Sequence, residues 1–111
     1  MLRGIVRYYM TATGDLGRPP KNMDELKTVL VPLTKEPDKF VRSTRDGQEF
    51  VVAWDTRFDG LSPDTIVAYE RTGVDGKRLV ANLGGEVREV NQEEFAHLKF
   101  PKDHKPDIGV N

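Results

Sequence analysis

The chain has 111 residues, 37 % of them apolar and 32 % charged, with a net charge of -1. That length fits one domain, able to bury a core without metals or disulfides. The interspersed charges leave no basic footprint for nucleic acid and no polybasic membrane patch, the lack of cysteine excludes disulfide and thiolate chemistry, and no apolar run approaches the roughly 20 residues that span a bilayer.

Leu2, Ile5, Val6, Tyr9 and Met10 recur at the spacing of one helix face, with Arg3 and Arg7 off the stripe and Gly14 as the expected stop. The stripe begins with no capping residue before it, which suggests a longer helix upstream. Asp15–Pro20 is a breaker cluster. Asn22 with Glu25 three residues on predicts a capping box for a second, short helix carrying Met23, Leu26 and Leu30 and closed by Pro32. Residues 33–39 are expected as loop.

Phe40–Ser43 and Glu49–Trp54 predict two strands around an Asp46-Gly47 turn, with Phe50, Val52 and Trp54 on one face. Residues 55–64 form a polar loop. Thr65–Glu70 predicts the next strand, Asp75-Gly76 a turn, and Arg78–Leu83 a strand after it. Gly84 and Gly85 predict a two-residue hairpin turn into a short strand over Glu86–Val90. Asn91 and Glu94 form a second capping box, and Val90 can staple onto Phe95. The order gives an α+β fold: an N-terminal helix packed on an antiparallel meander of four to five strands, with short capped helices. Residues 1–100 are expected as one domain and 101–111 as a flexible tail.

Little in the chain points to catalysis, and the expectation is a protein that is not an enzyme. Asp55, Asp59 and Asp64 share one loop and are the candidate metal ligands, for calcium. Their spacing does not match an EF-hand, and Gly60 and Pro63 suit an ordinary turn, so the expected cofactor is none. His97 and His104 read as a helix-end residue and a tail residue rather than a metal pair. Glu49, Glu70, Glu86 and Glu89 read as outward-facing strand carboxylates. Ser43 and Ser62 lack the setting of an activated nucleophile, and the Gly84-Gly85 turn leads into a strand, unlike a phosphate loop.

The run DTIVAYERTGVDGKRLVANLGGEVREVNQEEF, residues 64–95, resembles the closing segment of prepilin-type proteins abundant in planctomycete-like bacteria, which reads vlAYE…G…RNVLFADGHV…EEF. Ala68-Tyr69-Glu70 matches its first block, Lys77–Leu83 its strand, Gly85-Glu86-Val87 its turn, and Glu93-Glu94-Phe95 its last helix. Tyr8-Tyr9, the Gly-Arg-Pro-Pro break and the Asn-x-Asp-Glu-Leu helix are similar to the stretch that follows the pilin membrane helix. The two blocks cover about half of the chain. The resemblance implies a type IV pilin-like or pseudopilin-like fold. The implied role is a non-enzymatic structural or assembly subunit of a type II secretion or type IV pilus-like system.

The implied partners are other pilin-like subunits or secretion-system proteins, with no nucleic acid, and with membrane contact only through an N-terminal helix missing from this sequence. The implied location is the periplasm or cell envelope, anchored in the inner membrane when full-length. Leu2, Ile5, Val6, Tyr9 and Met10 would then bind the sheet. The chain departs from the family pattern where Gly84 replaces the acidic residue of the Asp-Gly turn. The calcium motif of pseudopilins is not matched closely enough to carry any ligand over. The alternative reading is a small protein- or ligand-binding module, which would show as an apolar or aromatic patch on the exposed sheet face, including Trp54 or Tyr69.

Overall fold

Four antiparallel strands, neighbours in the sheet as they are in the chain, form one sheet, covered on one face by the first two helices and on the other by the C-terminal segment. The computed structural model describes residues 2–32, 35–101 and 104. The elements are α1 (Leu2–Leu16), α2 (Met23–Leu30), α3 (Pro37–Phe40), β1 (Val51–Val52), β2 (Ile66–Tyr69), β3 (Lys77–Asn82), β4 (Val87–Asn91) and α4 (Gln92–Ala96). The architecture is α+β, with an N-terminal helix on a four-stranded antiparallel sheet. No helix among the described residues is long and apolar enough to cross a membrane.

The α1 stripe is buried at Leu2, Ile5, Val6, Tyr9 and Ala12, against α2, β2 and β3. Burying a side chain the size of Ile5 contributes about 1.5–3 kcal/mol. Met10 lies off this face and is 44 % exposed, and Ala12 takes the inward position expected of it. The helix runs past Gly14 and ends before Gly17, whose φ of +74° suits the residue after a helix C-terminus. In α2 the Asn22 side chain accepts from the Glu25 amide, as a cap requires. The Glu25 carboxylate does not return to Asn22. It takes the Lys21 amide at 2.6 Å and the Arg18 guanidinium instead.

The strand expected over Phe40–Ser43 is absent. Pro37 opens a turn of helix, where its fixed φ and missing N–H carry no penalty, and Phe40 closes it. Only Arg42 pairs toward Glu49, as an isolated bridge. Among the described residues this leaves four strands, the lower of the four to five expected. The Asp75-Gly76 turn is a two-residue hairpin in which both residues have positive φ, 54° and 75°, matching the twist of the flanking strands. At Gly84-Gly85 the connection is longer than expected. Leu83, Gly84 and Gly85 form a three-residue loop closed by the Asn82–Glu86 pair, with Gly85 alone at positive φ, 89°.

A bulge decides which way β2 faces. Ile66 pairs with Asn82 but Ala68 with Ala81, so β2 carries one residue more than β3 there. Val67 and Ala68 therefore both face the α1 core, while Ile66 and Tyr69 face the opposite cluster with Val80, Val90 and Phe95. That second cluster is covered by α4, held by a complete Asn91/Glu94 capping box, and by Leu98 and Phe100. The tail expected to be free contributes buried Pro101 and half-buried His104, and the remainder of that expectation, 102–103 and 105–111, lies outside the described residues.

Candidate functional surface

Tyr9 organises one end of the molecule. Its ring stacks on Phe58 at 4.5 Å between centroids, with the planes 7° apart, and on Trp54 at 6.2 Å. Its hydroxyl lies 2.9 Å from the Ala53 carbonyl and 2.8 Å from that of Thr56, and accepts the Thr56 N–H at 3.0 Å. Burial pushes the Tyr9 hydroxyl up to about 12, against the Thr56 hydrogen bond and with help from the Asp55 charge. The helix face thus fixes the loop that follows β1.

Between α1 and this loop runs an open groove of about 380 Å³, lined by Met10, Thr13, Arg57, Phe58, Asp59 and Leu83. A second hollow of about 500 Å³ lies on the other side of Arg57, against Arg18, Asp55 and Pro101. The candidate calcium ligands are divided by this arrangement. Asp59 lines the first hollow, Asp55 the second, and Asp64 accepts the Ser62 hydroxyl at 2.6 Å. The Ser62 hydrogen bond holds the Asp64 carboxyl below the usual range. Among the described residues no three carboxylate or imidazole groups converge as a metal site.

Glu70 corrects the sequence reading of an outward-facing strand carboxylate. It is 0 % exposed and just follows β2. Its Oε1 accepts the Leu79 amide at 2.7 Å, its Oε2 accepts the Ser43 hydroxyl at 2.5 Å, and Arg45 Nε lies 3.2 Å from Oε2 as an ion pair. Arg45 also reaches Glu89 at 2.8 Å. A carboxylate enclosed in this way, with both oxygens bonded, does not meet a substrate in this conformation; it ties the 43–47 turn to β2 and β3. Beside it, burial alone would raise the Asp46 carboxyl, but the amides of Gln48, Gly73 and Thr72 hold it below the usual range. No signal in the local sequence distinguishes Glu70 from Glu86 or Glu89, which are exposed.

Three further ion pairs brace the helices. Arg18 and Glu25 meet through two parallel bonds of 2.9 and 2.7 Å. The Arg18 contact, with the Lys21 amide, lowers the Glu25 carboxyl to about 2. Lys27 lies 2.9 Å from Asp38 and 3.2 Å from Glu49, joining α2 to α3 and to the approach of β1.

The predicted turn residues serve as an anchor. The Gly84 amide donates to Pro63, and the Gly85 carbonyl accepts Arg3 Nε at 2.9 Å, which fastens the start of α1 to the β3–β4 loop. His97 closes α4, its Nδ1 2.9 Å from the Glu93 carbonyl. Tyr69 is 3 % exposed, and Trp54 is half-buried against Tyr9, so neither forms a patch on an open sheet face. The outward side of α1 presents Arg3, Arg7, Met10, Thr11 and Gly14. No protein-family model, curated protein or solved structure matches the chain.

Proposed function

We propose that the chain is a pilin-like, pseudopilin-like domain that serves as a structural or assembly subunit of a type II secretion or type IV pilus-like system in the cell envelope. The observation that carries this reading is the placement of α1. It precedes the meander in the chain, buries one face on β2 and β3, and keeps Arg3, Arg7 and Met10 outward for neighbouring subunits. The full-length protein would be anchored in the inner membrane through a helix continuous with α1. Its partners would be other pilin-like subunits, and the domain would act without catalysis or cofactor.

The chain lacks cysteine, so single-cysteine variants report neighbours directly. In cells making the natural gene product, Arg7→Cys or Met10→Cys with a short thiol-to-amine cross-linker, which joins each subunit's one thiol to a lysine of its neighbour, is expected to give a ladder of homotypic or pilin-like adducts. Lys39→Cys, exposed in α3, is the control. Equal labelling at all three sites, or no ladder from α1, overturns the proposal.

A protein- or ligand-binding module is the second reading, and the groove beside Met10, Phe58 and Leu83 is the observation that favours it. It predicts one discrete adduct from Met10→Cys in place of a ladder.

A further inference from the structure

Residues 98–101 and 104 of the C-terminal segment lie across the Tyr69 face of the sheet. The Ile66 amide donates to the Lys99 carbonyl at 2.7 Å. Phe100 meets Tyr69 edge-on at 5.8 Å and Phe95 at 5.4 Å. The His104 ring packs against both Tyr69 and Phe100, and its Nε2 lies 2.9 Å from the Tyr69 hydroxyl. We propose that residues 98–101 and 104 form an acid-sensitive clasp, shut while His104 is neutral and let go when its ring takes a second proton.

The chemistry of the contact supports this. A neutral imidazole nitrogen can accept the Tyr69 proton, whereas an imidazolium nitrogen can only donate, so protonation reverses the polarity of the bond. Among the described residues, nothing compensates the new charge. Among the described residues, His104 meets Tyr69 from β2 and Phe100 and the Pro101 carbonyl from its own segment. One layer further lie Phe95 of α4 and the cationic Arg78 of β3, 4.5 Å above the Phe95 ring. Lys99 Nζ turns away to Ser62. Among the described residues no carboxylate pairs with His104. Burial accordingly holds its pKa below the ordinary histidine value.

The sign follows from that direction. The docked clasp prefers the neutral ring, so docking is strongest above the free-imidazole value of about 6.5 and weakens as pH falls below it. The docking constant falls about tenfold per pH unit until the docked ring itself protonates. Opening exposes Tyr69, Phe95 and Phe100 together, an aromatic surface on the sheet side away from α1.

Amide hydrogen exchange on the whole chain tests the clasp. The Ile66 N–H reports the clasp through its bond to Lys99, and the Glu70 N–H, bonded to Leu79, reports the sheet alone. After correction for intrinsic rates, Ile66 protection is expected to fall relative to Glu70 between pH 7 and 5. In His104→Phe, which keeps a ring without a titrating group, that fall is expected to vanish. The His104 ring proton shifts in the unaltered protein are expected to titrate with a midpoint below about 6.5. A His104 midpoint at or above that value, parallel loss at Ile66 and Glu70, or a pH response that survives in His104→Phe overturns the proposal.

Discussion

Arg45 Nε lies 3.2 Å from the carboxylate of Glu70, a side chain with no exposed surface, and the same guanidinium reaches Glu89 on β4. One turn is thereby locked to the sheet through charge and hydrogen bonding rather than apolar packing. Ser43 supplies the remaining side-chain donor and is itself buried. Ser43→Ala is expected to lower unfolding free energy by about 1.5–3 kcal/mol, the usual contribution of a hydrogen bond to a charged group. Glu70→Ala is expected to cost more, since it takes the acceptor from both the buried Ser43 hydroxyl and the Leu79 amide. Denaturant titrations of the two variants check the order.

Tyr9 makes stability sensitive to alkali. Its hydroxyl is raised to about 12 in the fold, mainly by burial, against about 10 in the unfolded chain. A raised value means that the stabilisation is complete below about pH 10 and is lost as pH rises toward about 12. Absorbance near 295 nm is expected to show Tyr9 ionising late, and Tyr9→Phe is expected to remove this part of the alkaline loss. Tyr9→Phe also leaves the Thr56 amide unpaired, at a cost of about 1–3 kcal/mol at neutral pH.

Glu25 behaves in the opposite sense. The Arg18 contact lowers its carboxyl to about 2, so its contribution is present above the ordinary glutamate range and is lost as pH falls through about 2. Both side chains are solvent-accessible, and the effect is expected to weaken with salt. NMR titration of the Glu25 carboxyl carbon is expected to show a midpoint that moves up toward about 4.3 in Arg18→Gln.

The glycines separate into required and replaceable. A Cβ at Gly73 would stand 2.0 Å from the Lys77 carbonyl oxygen at a φ of +72°, so Gly73→Ala is expected to destabilise by more than about 1 kcal/mol. Gly84 has an ordinary φ, and the nearest atom to an added Cβ is 3.4 Å away. Gly84→Ala is expected to change stability by less than about 0.5 kcal/mol. Gly84→Asp, which places an acid in this exposed turn, is expected to fold. Thermal melts of the three variants check these outcomes.

The parts of the fold governed by local chemistry were legible in the sequence. Asn22 and Asn91 capped the helices they were expected to cap, and the Asp75-Gly76 turn formed where its dipeptide placed it. Leu2, Ile5, Val6 and Tyr9 marked the buried face of α1, while Met10, at the margin of that face, was drawn toward the groove rather than the core. Non-local features were not legible. Glu70 reads like any strand carboxylate until Ser43 and Arg45 arrive from a turn 27 and 25 residues earlier. The β2 bulge leaves no mark in the alternation of Ile66, Val67, Ala68 and Tyr69, and it alone decides that Tyr69 meets the C-terminal segment. The strand expected at Phe40 was lost because Pro37 favours a helical start.

The sheet ends in β4, a five-residue edge that pairs only with β3 among the described elements. Two copies of such an edge can add to each other and grow into an uncontrolled aggregate. Here the antiparallel register that pairs all five residues of both strands sets Glu89 against Glu89, a like-charge opposition across a short separation. A shift by one residue along each strand sets Arg88 against Arg88 in one direction and Val90 against Val90 in the other. The charges of β4 therefore discourage the fullest register in which the molecule could multiply through its backbone, and leave its side-chain surfaces to choose what it joins.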